Sequence, residues 1–100
     1  MYLSKNTLLT GEGLAGMVNK TYSNLTILDL SETSIGDEGI KYLSEAKFPK
    51  LVALLLKDVD ITANGIEYLS KIEFPELQML DLSCNGLTVD DLLKLDERNL

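Results

Sequence analysis

Leu25-Thr26-Ile27-Leu28-Asp29-Leu30-Ser31, followed by Ile35 and by Gly39-Ile40-Lys41-Tyr42-Leu43-Ser44, is a phrase that the chain uses more than once. It returns as Leu51 to Lys57, Ile61 and Gly65-Ile66-Glu67-Tyr68-Leu69-Ser70, a shift of 26 residues. In that register residues 25–50 and 51–76 agree at 11 of 26 positions, Phe48-Pro49 over Phe74-Pro75 included. A third copy opens at Leu77 with Leu80, Leu82, Leu87, Leu92 and Leu95. Self-similarity at such a period is the mark of stacked structural repeats, none of which can bury its apolar face alone.

The remaining residues fall into the same frame. Under a shift of 26, Leu9 lies beneath Ile35, Gly13 beneath Gly39, Leu14 beneath Ile40, Met17 beneath Leu43 and Tyr22 beneath Phe48. Tyr2 then takes the Leu28 position. The expected organisation is a single domain of four units, residues 1–24 (lacking its beginning), 25–50, 51–76 and 77–100 (lacking its end, with Leu100 under Phe48). Neither end carries a polar terminal repeat of the kind that solenoids use to stay soluble, so self-association through uncapped ends is one expectation.

Periodicity changes within each unit. Leu28 and Leu30, Leu54 and Leu56, and Leu80 and Leu82 are two apart, which directs them to one side of a strand. Ile40 and Leu43, Ile66 and Leu69 with Ile72, and Leu92 and Leu95 are three apart, which gathers them on one face of a helix. Strand and helix must therefore pack together. Thr10, Thr62 and Thr88 share the position where a hydroxyl caps a helix, with Gly36 in that place in the second unit. Thr88 with Asp91 resembles a capping box. Asp37 with Lys41, Glu67 with Lys71 and Asp90 with Lys94 are spaced to pair along the outer helix faces. Phe48-Pro49 and Phe74-Pro75 end their helices and turn the chain, because proline disfavours helix in the residue before it.

Composition narrows the function. The chain has 100 residues, 45% hydrophobic and 25% charged, as a globular domain does. Its longest apolar run, Leu51 to Leu56, is too short to span a bilayer, and no charged region followed by an apolar one marks a signal peptide. An intracellular, cytoplasmic protein, or a piece of something larger, is the expectation, with a secreted effector as the alternative. Cys84 is the single cysteine and there is no histidine, which removes an internal disulfide and a Cys/His zinc set. A small half-buried residue at a strand end is the reading of Cys84. The net charge of −7 divides as −1 over residues 1–50 (six acids, five bases) and −6 over residues 51–100 (ten acids, four bases). Such a surface repels phosphate backbones, so nucleic acid is not an expected partner.

The pattern Leu-x-x-Leu-x-Leu-x-x-Thr/Val/Asn-x-Ile/Leu, with Gly-Ile-x-Tyr-Leu-Ser behind it, resembles the leucine-rich repeat family over essentially the whole chain. Its period and the run Ser34-Ile35-Gly36-Asp37-Glu38-Gly39-Ile40 look most like the ribonuclease-inhibitor-like repeats and the cysteine-containing repeats of F-box proteins. The resemblance implies an α/β leucine-rich-repeat solenoid, a right-handed superhelix with a parallel concave sheet of about four strands and short helices on the convex side. The position often held by Asn or Cys is Thr7, Thr33, Val59 and Asn85 here, so an unbroken side-chain ladder in the loops is not implied. No F-box segment is present to support a ubiquitin-ligase role.

Residues alternating with the buried leucines are expected on the concave side. Three columns result: Met1, Ile27, Ala53 and Met79; Leu3, Asp29, Leu55 and Asp81; Lys5, Ser31, Lys57 and Ser83. Adjacent strands would then alternate Leu/Lys with Asp/Ser, a two-unit period, with Lys57 diagonal to Asp29 and Asp81 at roughly 7–8 Å. Asp29 and Asp81 would stand two strands apart, roughly 9.6 Å. An open, wet face gives neither desolvation nor a substrate pocket, and no nucleophile, phosphate loop or metal set accompanies them, so no enzyme activity, cofactor or metal is expected.

The reading is a protein-protein interaction module whose partner docks on Leu3, Lys5, Ile27, Asp29, Ser31, Ala53, Leu55, Lys57, Met79, Asp81 and Ser83. One alternative is a structural segment that associates through its ends. Another, from the family resemblance alone, is the substrate-recruiting part of a ubiquitin ligase or an effector.

Overall fold

A computed structural model describes residues 1–5 and 8–96. Three short strands, β1 (Ile27–Asp29), β2 (Ala53–Leu55) and β3 (Met79–Asp81), form a parallel sheet in the order β1-β2-β3. Each is followed by a helix: α1 (Gly36–Leu43), α2 (Ala63–Leu69) and α3 (Val89–Asp96). Ile27, Ala53 and Met79 lie in one row, Leu28, Leu54 and Leu80 in the next, and Asp29, Leu55 and Asp81 in the third. The 26-residue period is thus the sheet register itself.

Burial follows the two periodicities. Leu28, Leu30, Leu51, Leu54 and Leu56 from the strand segments meet Ile40, Leu43, Ile66 and Leu69 from the helices, all at most 1% exposed. Burying a side chain of this size contributes about 1.5–3 kcal/mol, so the two central units carry most of the stability. At the corners Tyr22 stacks on Phe48 (ring centroids 5.5 Å apart) and Phe48 meets Phe74 at 6.2 Å. The Phe-Pro corner does fill the core as its sequence suggests, whereas Leu100 lies outside the described residues.

The helix starts divide the expectations. Thr62 caps α2 by accepting from the Asn64 N–H, and Thr88 and Asp91 exchange both bonds of a capping box at 3.0 and 3.2 Å. Thr10 makes no such bond. Gly36 is the first residue of α1 and not its cap: its φ of 57° is left-handed, and its N–H donates to the Val59 carbonyl. Asp37 turns away from Lys41, and its carboxylate accepts both the N–H and the hydroxyl of Thr62 in the next unit. Gly65 leaves the room for it, since a Cβ there would collide with that carboxylate. Lys71 likewise lies over the Tyr68 ring, 6.0 Å from its centre.

The first unit departs most. In place of a fourth strand, residues 1–5 run beside β1 with a single bridge, Tyr2 to Asp29. The Asp29 N–H donates to the Met1 carbonyl, the Leu3 N–H to Asp29 and the Lys5 N–H to Ser31. That register is 27 residues, one more than between the other strands. Lys5 is left-handed (φ 64°) and corresponds to Glu32, Asp58 and Cys84, which are left-handed at 58°, 53° and 59°. From Lys5 to the next helix at Gly11 is six residues, against four from Glu32 to Gly36 and five from Asp58 to Ala63 and from Cys84 to Val89. Past this segment Thr10 bridges to Ser34, an offset of 24, and Thr21 to Lys47, where the 26-residue register is restored.

The helix of this unit, Gly11–Met17, is a 3-10 helix. Gly11 packs so closely on α1 that a Cβ would sit 2.5 Å from the Ile35 carbonyl oxygen. The tighter winding suits the three-residue spacing of Leu14 and Met17, which are 3% and 8% exposed.

Candidate functional site

The face of the sheet away from the helices is the candidate surface. It carries Ile27 and Asp29 of β1, Ala53 and Leu55 of β2 and Met79 and Asp81 of β3, all partly or well exposed while Leu28 and Leu54 point inward. Met79, 57% exposed, is its most prominent apolar group.

Ser31, Lys57 and Ser83 continue the rows, and their geometry follows from one small motif. The Asp29 carboxylate accepts the Ser31 N–H at 3.0 Å, and Asp81 accepts the Ser83 N–H at 3.0 Å and the Ser83 hydroxyl at 2.6 Å. Asp-x-Ser therefore folds back on itself in an Asx turn and brings the strand to its end. Where β2 carries Leu55 and Lys57, the neighbour supplies the bond: the Lys57 N–H donates to the Ser31 hydroxyl at 3.1 Å. The two bonds from Ser83 hold the Asp81 carboxyl below its ordinary value, slight burial opposes them, and the Lys57 charge adds a smaller downward pull. Both aspartates are thereby committed to their own turns.

The slipped first unit corrects the outermost row. A one-residue slip exchanges the two faces of a strand. Tyr2, paired with Asp29, takes the open face and is 70% exposed. Leu3 falls beside Leu30 and packs against the core. Lys5 sits in the turn beside Glu32, and Met1 falls beside Leu28. Met1, Leu3 and Lys5 are therefore not on the sheet face beside Ile27, Asp29 and Ser31, and the two-unit alternation of Leu/Lys with Asp/Ser does not extend to the first unit. Tyr2 is the surface residue that sequence reasoning missed. The parity of Met1 and Leu3, matching Leu28 and Leu30 under a shift of 27, is the signal that would have found it.

The loops beyond the strands are held from within. Asn85 accepts the Val59 and Ile61 N–H groups at 2.8 and 3.3 Å and donates to the Leu56 and Leu82 carbonyls at 2.8 and 3.0 Å. Thr33 is buried and donates to the Leu30 carbonyl at 2.6 Å. Val59, buried in the apolar core, breaks any continuous ladder; Thr7 lies outside the described residues. Cys84 is exposed and left-handed, not half-buried as its place at a strand end suggests.

Among the described residues no group of three or more His, Cys, Asp or Glu could hold a metal ion, and no helix is long and apolar enough to cross a membrane. The curated proteins and the solved structures yield no match to this chain. Residues 23–44, which run from just before β1 through the end of α1, match a family model described as Leucine Rich repeat, so in its clearest copy the chain is similar to that family.

Proposed function

We propose that the chain is a protein-interaction module that binds its partner on the open face of the sheet. The observation that carries this is that the exposed Met79 shares with half-exposed Ile27 and Leu55 a face that no helix of the described chain covers. An apolar row left on a solvated sheet marks interaction surfaces more than solubility. Tyr2 extends the neighbouring row of Asp29, Leu55 and Asp81 at one edge of the same face, and aromatic anchors of this kind concentrate binding energy. Similarity to leucine-rich repeats supports the reading, since such repeats generally serve protein-protein interaction.

The site then consists of Tyr2, Ile27, Asp29, Ala53, Leu55, Lys57, Met79 and Asp81. Asp29, Lys57 and Asp81 set orientation more than affinity, because exposed charges contribute little each. No residue in it has an arrangement for bond making, and the role is recognition without catalysis. Partners captured by the wild type are compared with those captured by Leu55→Glu/Met79→Glu. Loss of a partner with an unchanged circular dichroism spectrum supports the reading, and full retention would sink it.

A further inference from the structure

Asp29 and Asp81 stand in one row of the open face with Leu55 between them. Neighbouring strands lie about 4.8 Å apart, so the two residues are separated by roughly 9.6 Å across the sheet. Each carboxylate is fixed by its own turn: Oδ1 of Asp29 accepts the Ser31 N–H, and Oδ1 of Asp81 accepts the Ser83 N–H and hydroxyl. Among the described residues Oδ2 of neither accepts a hydrogen bond. Lys57, diagonal to both, does not use up that capacity, since its charge is the weakest of the influences on the Asp81 carboxyl.

The surroundings carry the same sign. The loops after β1 and β2 add the exposed Glu32, Asp58 and Asp60, while Thr26, Val52 and Gln78, which immediately precede the strands, are uncharged. Against these five carboxylates stand Lys57 and, in the edge segment, Lys5, a net −3. A strand added at either edge of the sheet would leave this face as open as it is, so the arrangement belongs to the face and not to the margins of the stack.

We infer that what docks here is a basic segment of another protein, which crosses the strands and brings one cationic side chain to Asp29 and a second to Asp81. This rests on the reading of the open face as the docking surface and names the chemistry of its occupant. Lysine and arginine stems cover apolar surface while their heads stay in water, so they can lie over Leu55 between the two carboxylates. Spacing narrows the segment further. In a polyproline II backbone, side chains three residues apart face the same way at roughly 9.3 Å, close to the separation of the aspartates. In a β-strand the spacings on one face are roughly 6.6 and 13 Å, and neither fits. An acidic segment is disfavoured by the same charges, because like charges across an interface repel.

A random peptide library displayed on phage and selected on the wild-type chain supplies the probe. The expected peptides carry two Arg or Lys three positions apart, shift the methyl NMR signals of Ile27 and Leu55, and bind less tightly as salt is added. Asp29→Asn and Asp81→Asn keep an oxygen for the turn and remove the charge. Each should weaken binding about two- to fivefold, and Lys57→Gln should strengthen it by a similar factor. Peptides that shift Ile27 and Leu55 but lack the paired cations, or that ignore both Asn variants and salt, would overturn the inference and leave the docking surface standing. Peptides that leave those signals unmoved would overturn it together with the docking surface, and an empty selection would overturn it alone.

Discussion

The first unit and the two central units share an apolar pattern and solve the same packing problem in different ways. In residues 25–76 strand, loop and helix repeat at 26 residues, the leucines are sealed on both sides, and Asn85 and Thr33 tie the loops. In residues 1–24 the edge segment is displaced by one position, and the helix winds as a 3-10 helix over a glycine contact. Interior units are held in register by neighbours on two sides, which penalise any slip by exposing a full row of leucines. Among the described residues the edge segment pairs with β1 alone and packs only Leu3 against the core, so loop length can decide its register.

This contrast can be broken from the inside first. Leu54→Ala, at a fully buried position between two units, should cost about 2–5 kcal/mol in urea unfolding, whereas Leu3→Ala at the edge should cost about 1 kcal/mol or less. Equal losses would mean that the first unit is as tightly built as the centre. Asn85→Ala removes the acceptor of two loop N–H groups and should cost about 2–3 kcal/mol, read from the same unfolding curves.

The glycine contact sharpens it. Gly11→Ala forces a Cβ against the Ile35 carbonyl and should cost about 1–3 kcal/mol, whereas Gly16→Ala meets open space and should leave the melting temperature unchanged or slightly raised. If both behave alike, close packing is not what sets the 3-10 helix. Deleting Leu8 shortens the span between Lys5 and Gly11 by one residue; the NMR contacts of Tyr2 should move from Asp29 to Leu28, and an unmoved Tyr2 would show that loop length does not hold the slip.

The smallest effect concerns the strand-end turns. Ser83→Ala removes the hydroxyl bond that does most to lower the Asp81 pKa, so the carboxyl should titrate nearer its ordinary value in a carbon-detected NMR titration. The sign is that of a depressed acid: the contribution is present above the unfolded pKa and is lost as pH falls through the folded one. In the variant the contribution is smaller and its loss is complete at a higher pH. No change on substitution would remove the Asx turn as the cause.

Much of this was legible in the chain. Pairs of leucines two apart and then three apart named the strand faces, the helix faces and the central core, and the shared Phe-Pro pairs marked the corners. The Thr88 and Asp91 box and the Thr62 cap were readable because capping is a local interaction over two or three residues. Asp37 was not, since its real partner, Thr62, is 25 residues away and becomes a neighbour only when units stack. Lys5 and Leu3 were misplaced because an alignment at constant period cannot see a one-residue slip that starts and ends within a single unit.

By itself, then, the sequence determined the repeat, its period, the residues of the core and the six outward-facing residues of the three strands, Ile27, Asp29, Ala53, Leu55, Met79 and Asp81. Those follow from side-chain spacing, which local geometry converts directly into a face. Tertiary structure alone decided which residue of the edge segment joins that face, that Asn85 serves the loop of the unit before it, and that the two ends differ. These depend on hydrogen bonds between units and on how tightly one helix lies on the next, quantities that exist only once the units are stacked.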